Sequence, residues 1–582
     1  GLGINMFESQ WRSLLKLNLV GFMNTPIIKA RKGSQEKLFY NDAEYETWKK
    51  TDPKGWTIKY YKGLGTSTSK EFKEYFQHKK FVMFSYDQTA GDAIDMVFNK
   101  KRADDRKTWL ESYQREDCLD TNQSEVSYCD FINKEMKHFS KYDCDRSIPN
   151  LMDGQKISQR KILYSAFKKN LTKEIKVAQF SGYVSEHSGY HHGEASLNGA
   201  IVGMAQDYVG SNNINLLLPN GQFGTRLAGG KDSASERYIF TQLNPLTKTL
   251  FNSMDNQILS YLDDDGMPIE PVYYAPIIPM VLVNGSKGIG TGFSTDIMCY
   301  NPKDLITYIK CLLAGDANPS MKLEPYYKGF TGKIIKIAEK KYLIKGIYSK
   351  ADKNSITVSE LPIGTWTDDY KTFLEKEIDS PKKIIKEYFD MSTDKNVSFT
   401  VKFHLGALDK LEATAGDEHV NAVEKYMRLA SSHSTSNMYL FNAEDKLRKY
   451  ENVEDIVKDY YGTRVQMYRQ RIEYIIAVLQ KELCLLSNKA KYITENLEGT
   501  IDLRRKKKKQ IIDMLISKGY DMMDDDVEFK YLVKMPMDCV SEENVEKIMK
   551  QKGEKEAELA KYQKMKPTSL WLSELNVLDQ LI

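Results

Sequence analysis

The chain has 582 residues, of which 41% are hydrophobic and 28% are charged, a composition that predicts a soluble globular protein with several cores. At roughly 100–200 residues per domain, this length predicts three to five domains. The 84 Lys and Arg residues nearly balance the 80 Asp and Glu residues, so the net charge of +4 is small for a nucleic-acid-binding protein unless the two signs segregate onto different faces.

Membrane and disulfide-rich classes are excluded by two further features. Apolar runs such as residues 275–283 are too short to span a bilayer and contain prolines, and residue 1 opens neither a signal peptide nor a transit peptide. None of the seven cysteines forms a CxxC motif or lies with histidines at zinc-ligand spacing, so we predict no metal ligands among them. An odd, scattered set predicts reduced thiols in a cytosolic or nuclear protein.

The first 130 residues mix short elements with polar connections. Apolar residues at helical spacing predict a helix over 6–19, and residues 26–30 and 56–61 are typical of strands. Residues 62–68 form a glycine-rich loop, and Ser69 or a neighbour is expected to cap the helix that follows. Residues 101–130 are charged and predict a connector, in which Lys107 most simply lies on a solvated helix face.

Basic residues surround a predicted turn and helix between residues 146 and 168. Arg146 precedes an Asp-Gly turn at 153–154, and a helix is predicted from about Gln155 to Lys168. Lys156 and Arg160 are four residues apart and share one face of that helix, while residues 162, 163, 166 and 167 turn apolar groups inward. This pattern is typical of a helix-turn-helix DNA reader, although a solvated basic stripe gives the same pattern.

Two polar blocks carry the candidate catalytic residues. The sequence Tyr-His-His-Gly-Glu at 190–194 has vicinal histidines that cannot easily chelate one metal, and a lone histidine is most often structural. The block 229–239 places Arg237 and Tyr238 just before a predicted helix over 239–250. A tyrosine with a pKa of about 10 is a poor nucleophile, but an adjacent guanidinium favours the phenolate and stabilises charge on a phosphate under attack. Tyr238 is therefore a candidate nucleophile, against the alternative that it is an ordinary aromatic among 36 tyrosines.

Alternating residues at 333–336, 342–348 and 355–360 predict strands in a β-rich region. The glycine-rich segment 284–293 lacks the spacing of a phosphate-binding loop. Its apolar residue Ile289 lies between glycines, as expected of a wedge that inserts between base pairs.

The last 130 residues predict a long helical arm. A near-heptad apolar seam runs from residue 465 to residue 497, and a returning helix is expected over 541–564, with a compact tip between them. The basic run 504–509 most simply lies on a solvated helix face, with a DNA contact as the alternative.

The blocks at 190–194, 222–226, 229–239 and 284–292 together resemble the breakage-reunion core of type IIA DNA topoisomerases, in the eukaryotic pattern that some large DNA viruses share. The resemblance implies a multidomain α+β fold. Its expected parts are the end of a TOPRIM-like α/β domain with a connector (1–125), a winged-helix cleavage domain (126–275), a β-rich tower (276–450) and an antiparallel coiled-coil arm with an exit gate (451–582).

The same resemblance assigns roles to individual residues. Tyr238 is implied as the nucleophile, with Arg237 and His192 stabilising the phosphate. Residues implied to contact DNA are Arg146, Lys156, Arg160, Lys161, Lys107, Tyr190 and Ile289, the last as the wedge.

The resemblance also implies transient double-strand breaks through 5′-phosphotyrosine links, made by a homodimer on double-stranded DNA in the nucleus, or in a viral factory or virion. The glycine-rich loop at 62–68 resembles one in the metal-binding domain shared by topoisomerases and primases. Mg²⁺ is therefore expected, with ligands upstream of this chain, and ATP is expected in a domain outside it. Two alternatives remain, a hydrolytic nuclease and a DNA-bending clamp that does not cut.

Overall fold

The computed structural model describes residues 1–51, 53–61, 64–114, 116–120, 122–264, 266–504, 506–523 and 526–582. The fold is mixed α/β, and its sheets are small and open, with two to four strands each. Within the described residues, no helix is long and apolar enough to cross a membrane. All seven cysteines are free thiols.

The helices have the following bounds: Leu2–Gln10, Arg12–Lys16, Asp42–Lys49, Ser69–Gln77, Ala90–Phe98, Ala103–Glu111, Tyr128–Phe131, Lys137–Ser147, Ile157–Lys168, Val177–Ser188, Glu194–Ala205, Pro245–Leu250, Met280–Val283, Pro302–Leu313, Thr367–Ile378, Ala407–Ala413, Ala422–Tyr426, Val453–Leu497, Lys508–Ser517, Lys530–Val533, Glu542–Lys564 and Pro567–Leu581. The strands have these bounds: Gly21–Met23, Ile28–Lys32, Gln35–Phe39, Thr57–Tyr60, Phe81–Ser85, Glu125–Ser127, Ile175–Lys176, Phe240–Thr241, Tyr261–Asp264, Met267–Pro271, Ser286–Ile289, Ser294–Ile297, Lys333–Ala338, Lys341–Lys345, Ile347–Asp352, Ser355–Glu360, Ile385–Asp390, Phe399–Phe403, Ala430–Ser434, Tyr439–Phe441 and Leu447–Lys449.

The N-terminal part confirms the predicted strands and corrects the predicted helix. The helix expected over 6–19 is two helices, because Trp11 has φ −143° and ψ 52°, outside the helical region. In the glycine-rich loop, Lys62 and Gly63 lie outside the described residues. The helix after it begins at Ser69, where Thr68 and Glu71 cap each other's backbone groups in a capping box.

Two further helix bounds differ from the sequence prediction for local reasons. The helix expected from Gln155 begins at Ile157, with extended Lys156 as its N-cap residue. The segment expected to be helical from residue 239 first forms the strand Phe240–Thr241, which pairs with Ile175–Lys176. Its helix begins only at Pro245, because proline is favoured in the first turn and the Asn244 side chain caps the backbone amide of Leu246.

The β-rich region confirms all three predicted strand segments, the second of which divides at Gly346. This region contains two sheets. The first has the strand order Lys333–Ala338, Lys341–Lys345, Ala430–Ser434. The second has the strand order Ile347–Asp352, Ser355–Glu360, Phe399–Phe403, Ile385–Asp390. A separate apolar core lies under the second sheet, whereas the main core is shared by residues from 151 to 578. The main core therefore crosses the boundaries that we predicted at residues 275 and 450.

The helical arm is confirmed, and it is longer than its apolar seam indicated. Val453–Leu497 has 45 residues, about 70 Å at 1.5 Å per residue, and Glu542–Lys564 packs along it. A helix that sequence patterning missed, Pro567–Leu581, then returns the chain to the main core. There Trp571 donates a hydrogen bond from its indole N–H to the carbonyl oxygen of Ile277 at 3.0 Å and stacks on Tyr468.

Buried charges fix the root of the arm to the core. The guanidinium of Arg464 is fully buried and binds both carboxylate oxygens of Asp255, at 2.7 and 3.3 Å. Arg471, further along the same helix, donates to Glu574 at 2.5 Å and lies 3.6 Å from Asp255. Because each buried charge has an opposite partner, the root is held in one orientation.

Replacing Arg464 by methionine should lower the free energy of unfolding by about 3–5 kcal/mol, because Asp255 would keep a buried charge without its bidentate partner. The matched control is Arg469→Met, which removes an exposed cation from the same helix. Urea unfolding followed by tryptophan fluorescence and circular dichroism measures both. Equal midpoints for the two variants would contradict the structural role of the Arg464–Asp255 pair.

Candidate nucleic-acid interface

The loop that carries Arg237 and Tyr238 is held against the rest of the protein by its upstream half. Thr225 donates from its backbone N–H and its hydroxyl to the two carboxylate oxygens of Asp232, at 2.8 and 2.6 Å. Gly229 has φ +62°, and a Cβ there would lie 2.3 Å from the ring of Trp366. Only glycine fits this close contact without strain.

Two more contacts anchor the loop from other sides. The guanidinium of Arg226 forms a buried ion pair with Glu360 of the β-rich region. The side-chain amide of Gln206 donates to the carbonyl oxygens of Phe223 at 2.9 Å and Gly230 at 3.3 Å. The loop is thus fixed by an ion pair, by amide hydrogen bonds and by close packing on an indole.

Tyr238 lies at the exposed end of this anchored loop. Its backbone N–H donates to the carbonyl oxygen of Ser235 at 2.9 Å, but its side chain is 73% exposed. Arg237 is also exposed, and neither its guanidinium nor the Tyr238 hydroxyl contacts a side-chain partner in the described part of the chain. Both groups are therefore available to an external anion.

His192 lies in a cluster with two tyrosines and Arg146. The hydroxyl of Tyr142 lies 2.5 Å from Nε2 of His192, and the Tyr190 ring meets the imidazole edge-on at 5.3 Å between centres. The guanidinium carbon of Arg146 lies 5.8 Å from the centre of the Tyr142 ring. Burial lowers the pKa of His192 below its ordinary value, and the charge of Arg146 lowers it further.

The loop around His192 is anchored by Lys161, which sequence reasoning assigned to DNA. Its ammonium donates to the carbonyl oxygen of Ser188 at 2.5 Å and to the carboxylate of Glu270 at 2.8 Å, and its side chain is only 10% exposed. Beside it, Nε2 of His191 lies 3.5 Å from the carboxylate of Asp264. The charge of Lys161 is thus neutralised inside the protein, and the DNA contact that the resemblance implies for it stays a prediction.

The charge of Arg160 is also neutralised inside the protein. Its guanidinium binds both carboxylate oxygens of Asp153 at 2.6 and 3.0 Å, donates to the carbonyl oxygen of Gln155, and is 8% exposed. Asp153 in turn accepts a hydrogen bond from the backbone of Tyr274 at 2.9 Å. Arg160 therefore closes the turn before its helix and does not share an exposed stripe with Lys156.

Lys156 contacts the hairpin that carries Ile289. Its ammonium donates to the carbonyl oxygen of Lys287 at 2.8 Å, and burial lowers its pKa. Next to it, a Cβ on Gly288 would lie 1.9 Å from the carbonyl oxygen of Ser147, so the hairpin approaches the helix Lys137–Ser147 as closely as backbone allows. Lys156 thus joins the hairpin to the start of the helix Ile157–Lys168, and Gly288 packs the hairpin against the end of Lys137–Ser147.

Ile289 is at the end of this hairpin and is 80% exposed. The strands Ser286–Ile289 and Ser294–Ile297 pair in register, with Ile289 opposite Ser294. Beyond the tip, the hydroxyl of Thr291 donates to Asp143 at 2.9 Å, and the thiol of Cys144 donates to the Thr291 carbonyl oxygen at 3.3 Å. The exposed apolar side chain therefore projects from a fixed support.

Lys107 lies on the other side of the same turn. Its ammonium donates to Asp104 at 2.7 Å, which raises its pKa, and lies 5.3 Å from the centre of the Tyr439 ring. A Cβ built on Gly292 of the hairpin turn would lie 2.9 Å from the Cβ of the neighbouring residue Arg106.

The predicted residues form two connected groups and one separate pair. The first group consists of Arg146, Tyr190 and His192. The second group is the hairpin that carries Ile289, with Lys156 and Lys107 beside it. The helix Lys137–Ser147 connects the two groups. Arg237 and Tyr238 make no side-chain contact with His192 within the described residues.

Sequence reasoning missed the supports, namely Asp232, Glu360, Trp366 and Tyr142. Of these, only Tyr142 carried a signal, because it is four residues before Arg146 and therefore on the same helix face.

Within the described residues, no group of three or more His, Cys, Asp or Glu side chains is arranged to hold a metal ion. The resemblance implies Mg²⁺ ligands upstream of this chain, and that expectation stays a prediction.

Comparison with known proteins gives consistent matches over the chain. The A-subunit family model of DNA gyrase/topoisomerase IV matches residues 146–576, and the model described as "C-terminal associated domain of TOPRIM" matches residues 23–144. DNA topoisomerase 2 of Plasmodium falciparum is 42% identical over 100% of this chain and 44% of its own length. DNA topoisomerase 2-alpha of Mus musculus is 40% identical over 99% of the chain and 41% of its own length. The chain thus spans less than half the length of these curated relatives.

A solved structure shows the same similarity in three dimensions. The crystal structure of the Plasmodium falciparum topoisomerase II DNA-binding, cleavage and re-ligation domain matches with a TM-score of 0.82 and 42% identity. The match covers 100% of this chain and 82% of that one.

The Arg146→Met variant should raise the pKa of His192 toward its ordinary value, because loss of a nearby positive charge favours the imidazolium form. The desolvation that also lowers this pKa would remain, so the recovery should be partial. Nuclear magnetic resonance titration of the histidine rings measures the shift, with Arg469→Met as a control that removes an exposed cation from the arm. An unchanged or lower His192 pKa in Arg146→Met would contradict the electrostatic coupling.

Proposed function

Because the chain belongs to the type IIA DNA topoisomerase family, we propose that it is the DNA cleavage and religation core of an ATP-dependent type II topoisomerase. The observation that carries the proposal is Tyr238, a phenol with no protein partner in the described residues, exposed beside Arg237 on an anchored loop. Such a phenol is free to react with a phosphate that reaches it.

The proposed reaction is a reversible exchange of oxygens on phosphorus. Oη of Tyr238 loses its proton to solvent and attacks a backbone phosphate. The bond from phosphorus to the ribose 3′ oxygen breaks, and that oxygen takes up a proton. Tyr238 is left joined to the 5′ end, and the reverse exchange reseals the strand without an external energy source.

Charge develops on the phosphate oxygens during this exchange, and the exposed guanidinium of Arg237 is a suitable partner for it. His192 has a lowered pKa, so at neutral pH its imidazole acts as a neutral hydrogen-bonding group. We assign His192 the role of donor to a phosphate oxygen, next to Arg146 and Tyr190 on the path of the backbone.

The hairpin group is proposed to bend the bound duplex. Lys156 and Lys107 would contact phosphates, while Ile289 would insert between base pairs and unstack one step. Arg160 and Lys161 pair with Asp153 and Glu270 and support the turn and the His192 loop from inside. The DNA contact that the resemblance implies for these two residues stays a prediction.

The remaining assignments follow from family membership. We propose a TOPRIM-associated segment over 1–125, a winged-helix cleavage domain over 126–275, a tower over 276–450 and an arm with an exit gate over 451–582. We also propose a homodimer that cuts both strands of double-stranded DNA, with Mg²⁺ and ATP bound by residues outside this chain, in the nucleus or in a viral factory or virion.

Tyr238→Phe should abolish the covalent protein–DNA adduct that denaturant traps, because the attacking oxygen is removed. The assay uses the protein at its native full length with duplex DNA and Mg²⁺, and the matched control is Tyr474→Phe, a half-exposed tyrosine of the arm. Full adduct in Tyr238→Phe would refute the nucleophile. Free ends without adduct in the wild type would indicate a hydrolytic nuclease, and binding without cutting would indicate a clamp.

Ile289→Ala should reduce the bend of the bound duplex, because the side chain would no longer fill the space between two base pairs. Energy transfer between dyes at the two ends of a DNA fragment measures the bend. Leu405→Ala is the control, since Leu405 is a comparably exposed apolar side chain, 89% exposed, in the β-rich region. An unaltered end-to-end distance with Ile289→Ala would exclude the wedge.

A further inference from the structure

Tyr142 makes the shortest side-chain contact of His192. Its Oη lies 2.5 Å from Nε2, and its ring is tilted by 38° to the imidazole at 6.0 Å between centres. Tyr142 and Arg146 are one helical turn apart on Lys137–Ser147, so the same helix face presents the phenol and the guanidinium to the imidazole. Within the described residues, no hydrogen bond is made to Nδ1 of His192, and the side chain is exposed.

This geometry allows two arrangements of one proton. If the phenol donates to Nε2, the imidazole proton is on Nδ1, which then faces outward as a free N–H donor. If Nε2 donates to the phenol oxygen, Nδ1 faces outward as a lone pair and repels the oxygens of a phosphate. Only the first arrangement lets a neutral His192 bind a phosphate.

The groups around the pair keep both partners in the neutral forms that this first arrangement requires. Burial, Arg146, His191 and Lys161 all lower the pKa of His192, which keeps the ring neutral near pH 7. Burial raises the pKa of Tyr142 despite the opposing charge of Arg146, so the phenol keeps its proton and can donate it. Lys161 and His191 are themselves paired with Glu270 and Asp264, and Tyr190 packs edge-on against the ring.

We propose that Tyr142 is a positioning residue that donates its phenol proton to Nε2 of His192 and thereby holds the imidazole with its N–H on Nδ1, aimed at the scissile phosphate. This proposal deepens the proposed function and rests on it. Tyr142 does not react with DNA; it selects which nitrogen of His192 carries the proton. Without the phenol, the imidazole is free to shift its proton to Nε2 and to turn its ring.

The tautomer is measured directly by nitrogen chemical shifts in the protein labelled with ¹⁵N-histidine, without DNA and without any cleavage. In the wild type, Nδ1 of His192 should show the shift of a protonated nitrogen at pH 7.5, and in Tyr142→Phe that signal should move toward the unprotonated value. Phenylalanine keeps the ring next to Arg146 and removes only the oxygen. The same tautomer in both proteins would overturn the proposal.

A second tyrosine–histidine pair in the chain provides the matched control. Oη of Tyr113 lies 3.0 Å from Nδ1 of His138, outside the site. Tyr113→Phe should leave the His192 signals and the rate of adduct formation unchanged. If it alters them as Tyr142→Phe does, the effect is a general loss of packing and the positioning role is wrong.

Kinetics test the consequence for the reaction. Tyr142→Phe should slow adduct formation by about five- to tenfold, the effect of one lost hydrogen bond, while DNA affinity stays the same. In a His192→Ala background the same substitution should have no further effect, because Tyr142 acts through the imidazole. Additive losses in the double variant would contradict the proposal. If Tyr142→Phe shifts the His192 tautomer as expected while Tyr238→Phe still forms full adduct, the proposed function is refuted and the positioning role of Tyr142 is not.

Discussion

The buried ion pair between Arg226 and Glu360 is the constraint on which the proposed chemistry depends. A reactive phenol must be exposed to reach a phosphate, and exposed loops are normally mobile. Here the loop is anchored below the surface by that pair, by the hydrogen bonds of Thr225 to Asp232 and by the contact of Gly229 with Trp366. The exposed end can therefore carry Tyr238 in a defined direction, which lowers the entropy lost when a substrate binds.

The same principle organises the rest of the interface. Ile289 projects from a hairpin fixed to the helix Lys137–Ser147, and the His192 loop is fixed by Lys161 and Glu270. In each place an exposed functional group is held by polar contacts beneath it. A buried charge without its partner would be costly, so these contacts specify one arrangement of the surface groups.

Sequence patterns predicted the parts of the fold that local forces decide. The apolar seam of the arm, the strands at 333–360 and the capped helix after residue 68 all follow from periodicity and capping, and all are found. The helix Pro567–Leu581 was missed because it is stabilised by contacts with residues far away in the sequence, such as the hydrogen bond from Trp571 to Ile277. The break at Trp11 and the strand Phe240–Thr241 were also decided by backbone and pairing geometry that periodicity does not encode.

At the interface, residue type did not predict whether a basic side chain is exposed, because some of these side chains pair with a buried carboxylate. Arg160 and Lys156 are equally basic and four residues apart, yet Asp153 buries the first, and the second donates to a hairpin. No pattern around residue 160 revealed that Asp153 would be enclosed. Tyr142 was overlooked because its role depends on a histidine fifty residues away.

The central claim is that one phenol oxygen takes the place of a ribose oxygen on phosphorus. Mass spectrometry of the peptide that remains attached to DNA after denaturant trapping and protease digestion tests it most directly. We expect a phosphodiester link between the 5′ end of the broken strand and the tyrosine that follows Arg237. A link at any other residue, or at a 3′ end, would contradict it.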